Sequence, residues 1–466
     1  MRRPVSLSRL LALAALLASV ATGCPGDPPA SVDGGMDSGA PADDFHDPLA
    51  TPAEPTHSVG SFSSASVCQP CHEAHFAQWK TSMHAYAMID PVFRALVAVR
   101  QADYDGAQDQ FCTQCHSAIA TRGGEIVPGF SFDELSEVVL EGVTCEACHK
   151  ASEVRRDHNS GLLLDPDGPL RATIPDPIEN PAHASEYSPV HGTSTFCASC
   201  HDVVEVSDLN LERPYEEWLE SPAFIEGRTC QTCHMPSYTG NATEGAPVRS
   251  LHEHWFVGVD LPLTEGFVTP EELDAGRVRV LDLLSTAAAL ATEAPDSVVA
   301  GQQLDLLVTV QNLIDGHNLP TGSTFVRQVW LEVLVTDAAG AVLYETGTLD
   351  GNGDLRDHFS ELDPYGDDDL VTFGSRFLSP EGEPEVFSWR AAEHISNSIP
   401  PLHQRTSTLF IPTEASTVGP LAIEARLRFR THPPFLLRRL GLDEYLPAIG
   451  TYDLATSSRA VEVVAP

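Results

Sequence analysis

The chain has two textures. In the C-terminal half, short runs alternate apolar and polar side chains: residues 297–312 (SVVAGQQLDLLVTVQN), 326–337 (VRQVWLEVLVTD), 341–347, 405–411 and 421–430 (LAIEARLRFR). A period of two puts one face in a core and one in water, so these runs predict strands. Asp337-Ala-Ala-Gly340 reads as a hairpin turn. Pro433-Pro434 leads into a short helix ending near Gly441, and residues 458–464 read as a last strand. Strands at this spacing predict an antiparallel β-sandwich over residues 291–466. Residues 61–265 almost lack that alternation. They predict short helices at 73–88, 90–101, 133–140 and 214–219, with Pro- and Gly-containing loops between. Thr269 followed by Pro270 marks a helix start. The helix runs to about residue 284 and joins the halves through 266–290. The expected class is a multidomain α + β protein.

The N-terminus carries no such pattern. Arg2, Arg3 and Arg9 precede an apolar stretch, 10–20, that is too short to span a bilayer. Ala21-Thr22-Gly23-Cys24 follows. Residues 1–23 read as a signal peptide, and Cys24 as a lipid-modified N-terminus. Pro25, where Asp would favour inner-membrane retention, points to the outer membrane. The expected product is an exported bacterial lipoprotein on the periplasmic face or outer membrane. Residues 24–60, rich in Pro, Gly, Ala, Ser and Asp, read as a disordered tether.

The formal charge is −39, from 27 basic and 66 acidic residues. Such a surface repels nucleic acid and suits basic protein partners. Aromatic residues make up only 7%, few for a conventional core. The missing apolar surface has another source. The pentapeptide C-x-x-C-H occurs five times: Cys68-Gln-Pro-Cys71-His72, Cys112-Thr-Gln-Cys115-His116, Cys145-Glu-Ala-Cys148-His149, Cys197-Ala-Ser-Cys200-His201 and Cys230-Gln-Thr-Cys233-His234. Two thiols one helical turn apart can form thioethers to the two vinyl groups of one porphyrin, and the following histidine supplies an axial nitrogen. Paired C-x-x-C units also bind zinc, but zinc does not require a histidine directly after every pair. A redox dithiol needs one pair, not five. Five c-type haems are expected. Ten of the eleven cysteines are then used and the eleventh is Cys24, which leaves no disulfide.

Each iron needs a sixth ligand or keeps an open position. Fourteen of the 19 histidines remain after the five motif histidines. Met1 and Met36 lie outside the folded part, so the five methionines cannot serve five irons, and bis-histidine ligation is the default. Here the local sequences resemble the multihaem cytochrome c family that includes the tetrahaem electron acceptor of hydroxylamine oxidoreductase. The resemblance runs from about Val67 to Gly322. Trp79-Lys-Thr-Ser82-Met-His84-Ala85 resembles W-x-x-S-x-H-A, which implies His84 as a distal ligand. Gly142-Val-Thr-Cys145-Glu146-Ala-Cys148-His149 resembles G-V-x-C-E-x-C-H, which implies His158 downstream, although Lys150-Ala151-Ser152 replaces the usual Gly-Pro-Gly. Cys230-Gln-Thr-Cys233-His234-Met235-Pro236 and His254-Trp-Phe256-Val-Gly258 resemble a further motif and its ligand segment. Gly316-His317-Asn-Leu-Pro320-Thr321-Gly322 resembles a turn in attached β-domains, and implies that His317 reaches back to a haem. The fifth distal candidate is His183 or His191. His252 competes with His254.

The expected function is electron transfer along five mostly bis-histidine haems, with no catalytic residue required. The alternative is an oxidoreductase acting on a small nitrogen or sulfur compound at a five-coordinate haem. Asp350-Gly-Asn352-Gly-Asp354-Leu355, with Glu361 at the twelfth position, begins like a calcium loop. Leu355 stands where the EF-hand turn needs Gly, so the loop reads as an acidic turn. Asp367-Asp368-Asp369 reads as a solvated loop.

Overall fold

A computed structural model describes residues 56–466. The signal peptide, Cys24 and most of the tether lie outside the described residues. The tether boundary at 60 moves inward. Val59 and Phe62 are buried with Ile119 and Ile126 in the core of the haem-motif half, so residues just after 55 already belong to the fold.

The haem-motif half is a string of short helices. Residues 73–88 form two pieces, Glu73–Lys80 and Met83–Tyr86. Asp90 accepts from the Val92 amide at 2.9 Å and so caps Pro91–Tyr104, with Pro91 in the first turn. Pro214–Leu219 forms as predicted. Residues 133–140 split into a 3-10 turn, Phe132–Glu134, and Glu137–Leu140. The expectation that strands are nearly absent here is corrected. Four two-stranded ribbons occur: Ala151–Val154 with Leu162–Leu164, Leu170–Ala172 with Ser185–Tyr187, Val203–Val204 with Asn210–Glu212, and Ser237–Asn241 with Val248–His252. Strands of two to five residues are too short to show a period of two.

Thr269 and Glu272 form a capping box at the start of the joining helix, Pro270–Ser285. Beyond it lies the sandwich. One sheet orders Ser297–Val299, Tyr452–Val464, Leu421–Arg430, Gln328–Thr336 and Val342–Thr346, with Val371–Phe373 also on Gln328–Thr336. The other orders Gln404–Ile411, Leu304–Asn312 and Ala288–Glu293. The run 297–312 breaks into two strands on opposite sheets, at a turn where Gly301 takes φ +86°. The first of them pairs parallel to Tyr452–Val464, and every other sandwich pairing is antiparallel. Alternation does its work along Leu304–Asn312. Leu304, Leu306, Val308 and Val310 turn inward, the first three onto Leu331, Val333, Val335, Ile423 and Ala425. Asp337–Gly340 makes the predicted hairpin turn, Gly340 at φ +82°. Gly347 is held to glycine by space, because a Cβ would sit 2.1 Å from the Leu331 carbonyl oxygen.

The acidic segments are less solvated than the sequence suggests. Asp367 is buried and accepts from Thr346 Oγ1 and the Gly347 amide at 2.9 and 2.6 Å. This corrects the solvated-loop reading for its first residue. In the calcium-like loop, Asp350 accepts from the Asn352 and Asp354 amides and from Ser360 Oγ, and Asp354 pairs with Arg438.

The two halves share an interface. Glu205 accepts from both terminal nitrogens of Arg100 at 2.7 and 3.0 Å and from Ser388 Oγ at 3.0 Å, all three residues buried. Asp103 pairs with Arg390, and Asp260 with Arg327 at 2.5 Å. Phe377 of the C-terminal half packs with Leu211 and Val203. Glu205→Ala leaves the Arg100 guanidinium buried without its charge partner. It is expected to cost about 3–5 kcal/mol, read as a lower denaturation midpoint in urea. Burial raises the Asp90 pKa to about 6. A raised acid pKa favours the protonated folded state, so stability is greatest below the unfolded pKa of the carboxyl and falls as pH rises through 6. Asp90→Asn keeps a side-chain cap and is expected to flatten that part of the stability–pH curve, measured by thermal melting between pH 4 and 7.

Candidate haem-binding site

Four of the five motifs lie in helices, Asp109–His116, Cys145–His149, Ser194–His201 and Cys230–His234, and the first, residues 68–72, is a turn. In the first, the His72 amide donates to the Cys68 carbonyl at 2.9 Å and closes one helical turn. The turn brings both thiols and the histidine of each motif to one side, as thioether attachment requires.

Four of the motif histidines have their Nδ1 engaged by a backbone carbonyl: His72 by Ala242 at 2.8 Å, His116 by Ala87 at 3.0 Å, His149 by Arg171 at 2.6 Å and His234 by Val257 at 2.9 Å. A proton held on Nδ1 leaves the Nε2 lone pair for a metal. Two of the acceptors come from the ribbons that the sequence did not reveal: Arg171 lies in one, and Ala242 follows directly on another. These ribbons orient the proximal ligands.

An iron bonded at about 2 Å to one nitrogen of each of two facing rings sets the ring centres about 6 Å apart. Six pairs that include a motif histidine meet that spacing, but His72 with His75, at 6.3 Å, and His149 with His191, at 6.0 Å, each use a partner whose Nε2 is already hydrogen-bonded, which leaves four. His72 and His183 are 6.3 Å apart, His149 and His254 6.3 Å, His201 and His84 6.0 Å, and His234 and His317 6.4 Å. His254 and His317 repeat the proximal pattern, with Nδ1 on the carbonyls of His252 and Asn318, both at 2.9 Å. Burial lowers the pKa of His84 and His254 to about 3, and of His116 and His317 to about 4. All four are neutral at pH 7, the form that ligates. His201 combines an exposed ring with a pKa lowered by burial.

The structure also separates the alternatives. His191 lies 6.0 Å from His149, but its Nε2 donates to the Cys148 carbonyl at 3.0 Å and its Nδ1 is bonded to Ser188 Oγ. Both nitrogens are occupied, so it braces the motif 3 helix. His158 is paired with Asp157 at the surface and faces no motif histidine. His252 bonds through Nδ1 to the Met235 carbonyl. His75 wedges beside His254, ring centres 4.8 Å apart, and its Nε2 meets the Tyr238 hydroxyl at 3.0 Å. His116 differs from the other four. Among the described residues no second imidazole faces it, and Phe93 lies flat against its ring at 3.7 Å.

Thiols of different motifs lie against one another: Cys68 with Cys145, Cys115 with Cys200, and Cys197 with Cys230. The contacts raise the pKa of Cys145, Cys115 and Cys197 and lower that of each partner. Cys148 also feels Cys200 and Cys197. Attachment site 1 therefore adjoins 3, site 3 adjoins 4, and site 4 adjoins both 2 and 5.

C-x-x-C-H turns with facing imidazoles are the arrangement that multihaem c-type cytochromes use. Comparison with known proteins points the same way. Residues 67–150 match the family model described as cytochrome c554 and c-prime. The fold is similar to that of a penta-heme cytochrome c552 from Thermochromatium tepidum, at 21% identity and a TM-score of 0.59, over 88% of this chain and 100% of that one. A CARDB domain of the PF1109 protein from Pyrococcus furiosus aligns at 13% identity over 38% of this chain and 87% of that chain, with a TM-score of 0.15. No curated protein matches the chain.

Proposed function

We propose that the protein carries electrons along five covalently attached haems, four ligated by two histidines and one by His116 alone. The observation that carries this reading is the set of four imidazole pairs at 6.0–6.4 Å, joined by the chain of neighbouring thiols. Haem supplies reversible one-electron chemistry when bound. The protein's residues attach it, fix its axial ligands and keep them neutral. Export, lipid attachment at Cys24 and placement at the periplasmic face or outer membrane complete the proposal, resting on residues 1–24. The net charge of −39 supports redox partners with basic docking surfaces. Electron paramagnetic resonance of the oxidised protein tests the ligation. Four low-spin haems and one high-spin haem are expected, and mostly high-spin iron would overturn it.

His116 supports a second reading, an oxidoreductase acting on a small nitrogen or sulfur compound at an open axial position. Nitrite or hydroxylamine should then shift the high-spin signal and be turned over with a reductant. A signal unmoved by either leaves the carrier reading alone.

A further inference from the structure

The loop bearing His317 is anchored from two sides. From the sandwich, buried Asn312 donates through Nδ2 to the His317 carbonyl at 3.1 Å and to those of Ile399 and Pro400. From the haem-motif half come two residues that precede motif 5. Arg228, two positions before Cys230, holds Asp315 in a forked pair at 3.3 and 2.5 Å. Glu217, on the helix Pro214–Leu219, accepts from the Asn318 amide at 3.1 Å and from Thr321 Oγ1 at 2.5 Å, both on the same carboxylate oxygen. Asp315 precedes His317 by two residues, and Asn318 and Thr321 follow it.

We infer that Glu217 is a positioning residue for the sixth ligand of haem 5: it locks the His317 loop onto the haem-motif half, so that the sandwich serves as the distal wall of that haem. The inference rests on the proposed ligation by His317 and goes beyond it. One oxygen taking two donors fixes position and orientation together. The ends of the loop have further ties to that side, the Ala223 amide to the Asp315 carbonyl at 3.1 Å and Ser323 Oγ to Glu212, but Glu217 holds the residues that directly follow His317. Without it, the segment after His317 is loose on the haem-motif side, and the His317 imidazole is free to leave the position facing His234. The chemistry at stake is the spin state and reduction potential of haem 5, which axial ligation sets.

The test uses the full-length, haem-loaded protein with Glu217→Ala, Glu217→Gln, Thr321→Val and His317→Ala. Glu217→Ala is expected to raise the high-spin fraction from one haem in five towards two in five, and to shift the potential of one haem upward. Glu217→Gln keeps a carbonyl oxygen that accepts both bonds, so it should restore the wild-type spectrum and potentials. Thr321→Val, which removes one donor without touching the carboxylate, should give an intermediate high-spin fraction. It decides the matter if the Glu217→Ala chain does not fold. Wild-type spin state and potentials in Glu217→Ala, or in Thr321→Val, would overturn the inference. So would a Gln variant as damaged as Ala, which would assign the effect to charge rather than to anchoring. An unchanged spectrum in His317→Ala would instead overturn ligation by His317 itself.

Discussion

Replacing His317 with alanine is expected to convert one low-spin haem to high spin, leaving three bis-histidine haems where there were four. The reason is geometric. His317 is the only described imidazole whose ring faces His234, at 6.4 Å. Its Nδ1 bond to the Asn318 carbonyl leaves Nε2 directed at the site, and burial keeps it neutral. No other described histidine stands ready to replace it. Carbon monoxide should then bind reduced protein at two haems per chain instead of one, and added imidazole should restore the low-spin signal. The loop's contribution to the sandwich core comes from Leu319, which the substitution leaves in place, so the thermal unfolding of residues 288–464 should not move. A variant with the wild-type spectrum would separate the two halves into a cytochrome and an independent adaptor.

The second large effect concerns motif 3. Cys145→Ala with Cys148→Ala removes the attachment site that stands between sites 1 and 4. The hydrophobic cluster of this half spans residues 59–196, and Ala147, Ala151 and Val139 line it around the motif. It is small for so many residues, and the macrocycle is the apolar partner it lacks. The double variant is expected to lose protease resistance throughout residues 61–265. The sandwich has its own cluster, all of it within residues 290–463, and should survive. Limited trypsin digestion should give a resistant fragment starting at Val280, after the cleavable Arg279. Resistance over the whole chain would show that the polypeptide alone carries the fold of the first half.

The site was legible where chemistry forces residue types into fixed spacing. C-x-x-C-H admits few meanings when it recurs five times, and His84, His254 and His317 could be marked by their local motifs. His183 and His191 could not be told apart, because the choice depends on which nitrogen is already bonded, and that is settled by Ser188 and the Cys148 carbonyl. His158 was implied by the resemblance of the motif 3 segment, yet it lies on the loop that joins Ala151–Val154 to Leu162–Leu164, paired with Asp157. That ribbon and its fellows were invisible because each is too short to alternate. The sandwich was read well at Leu304–Asn312, Gln328–Thr336, Gln404–Ile411 and Leu421–Arg430, and only in its second half at Tyr452–Val464. It was read poorly at Ser375–Leu378 and Glu393–Ser396, which are four residues each and bury only Phe377, partly against Leu211 and Val203 of the haem-motif half. Glu217 carried no local signal at all, since its partners lie about a hundred residues away.

Haem content after denaturation and extraction with acidified acetone tests the central claim most directly. The account predicts that all pigment stays with the polypeptide, with five haems per chain by pyridine haemochrome assay. Colourless protein, or pigment passing into the acetone, would contradict it.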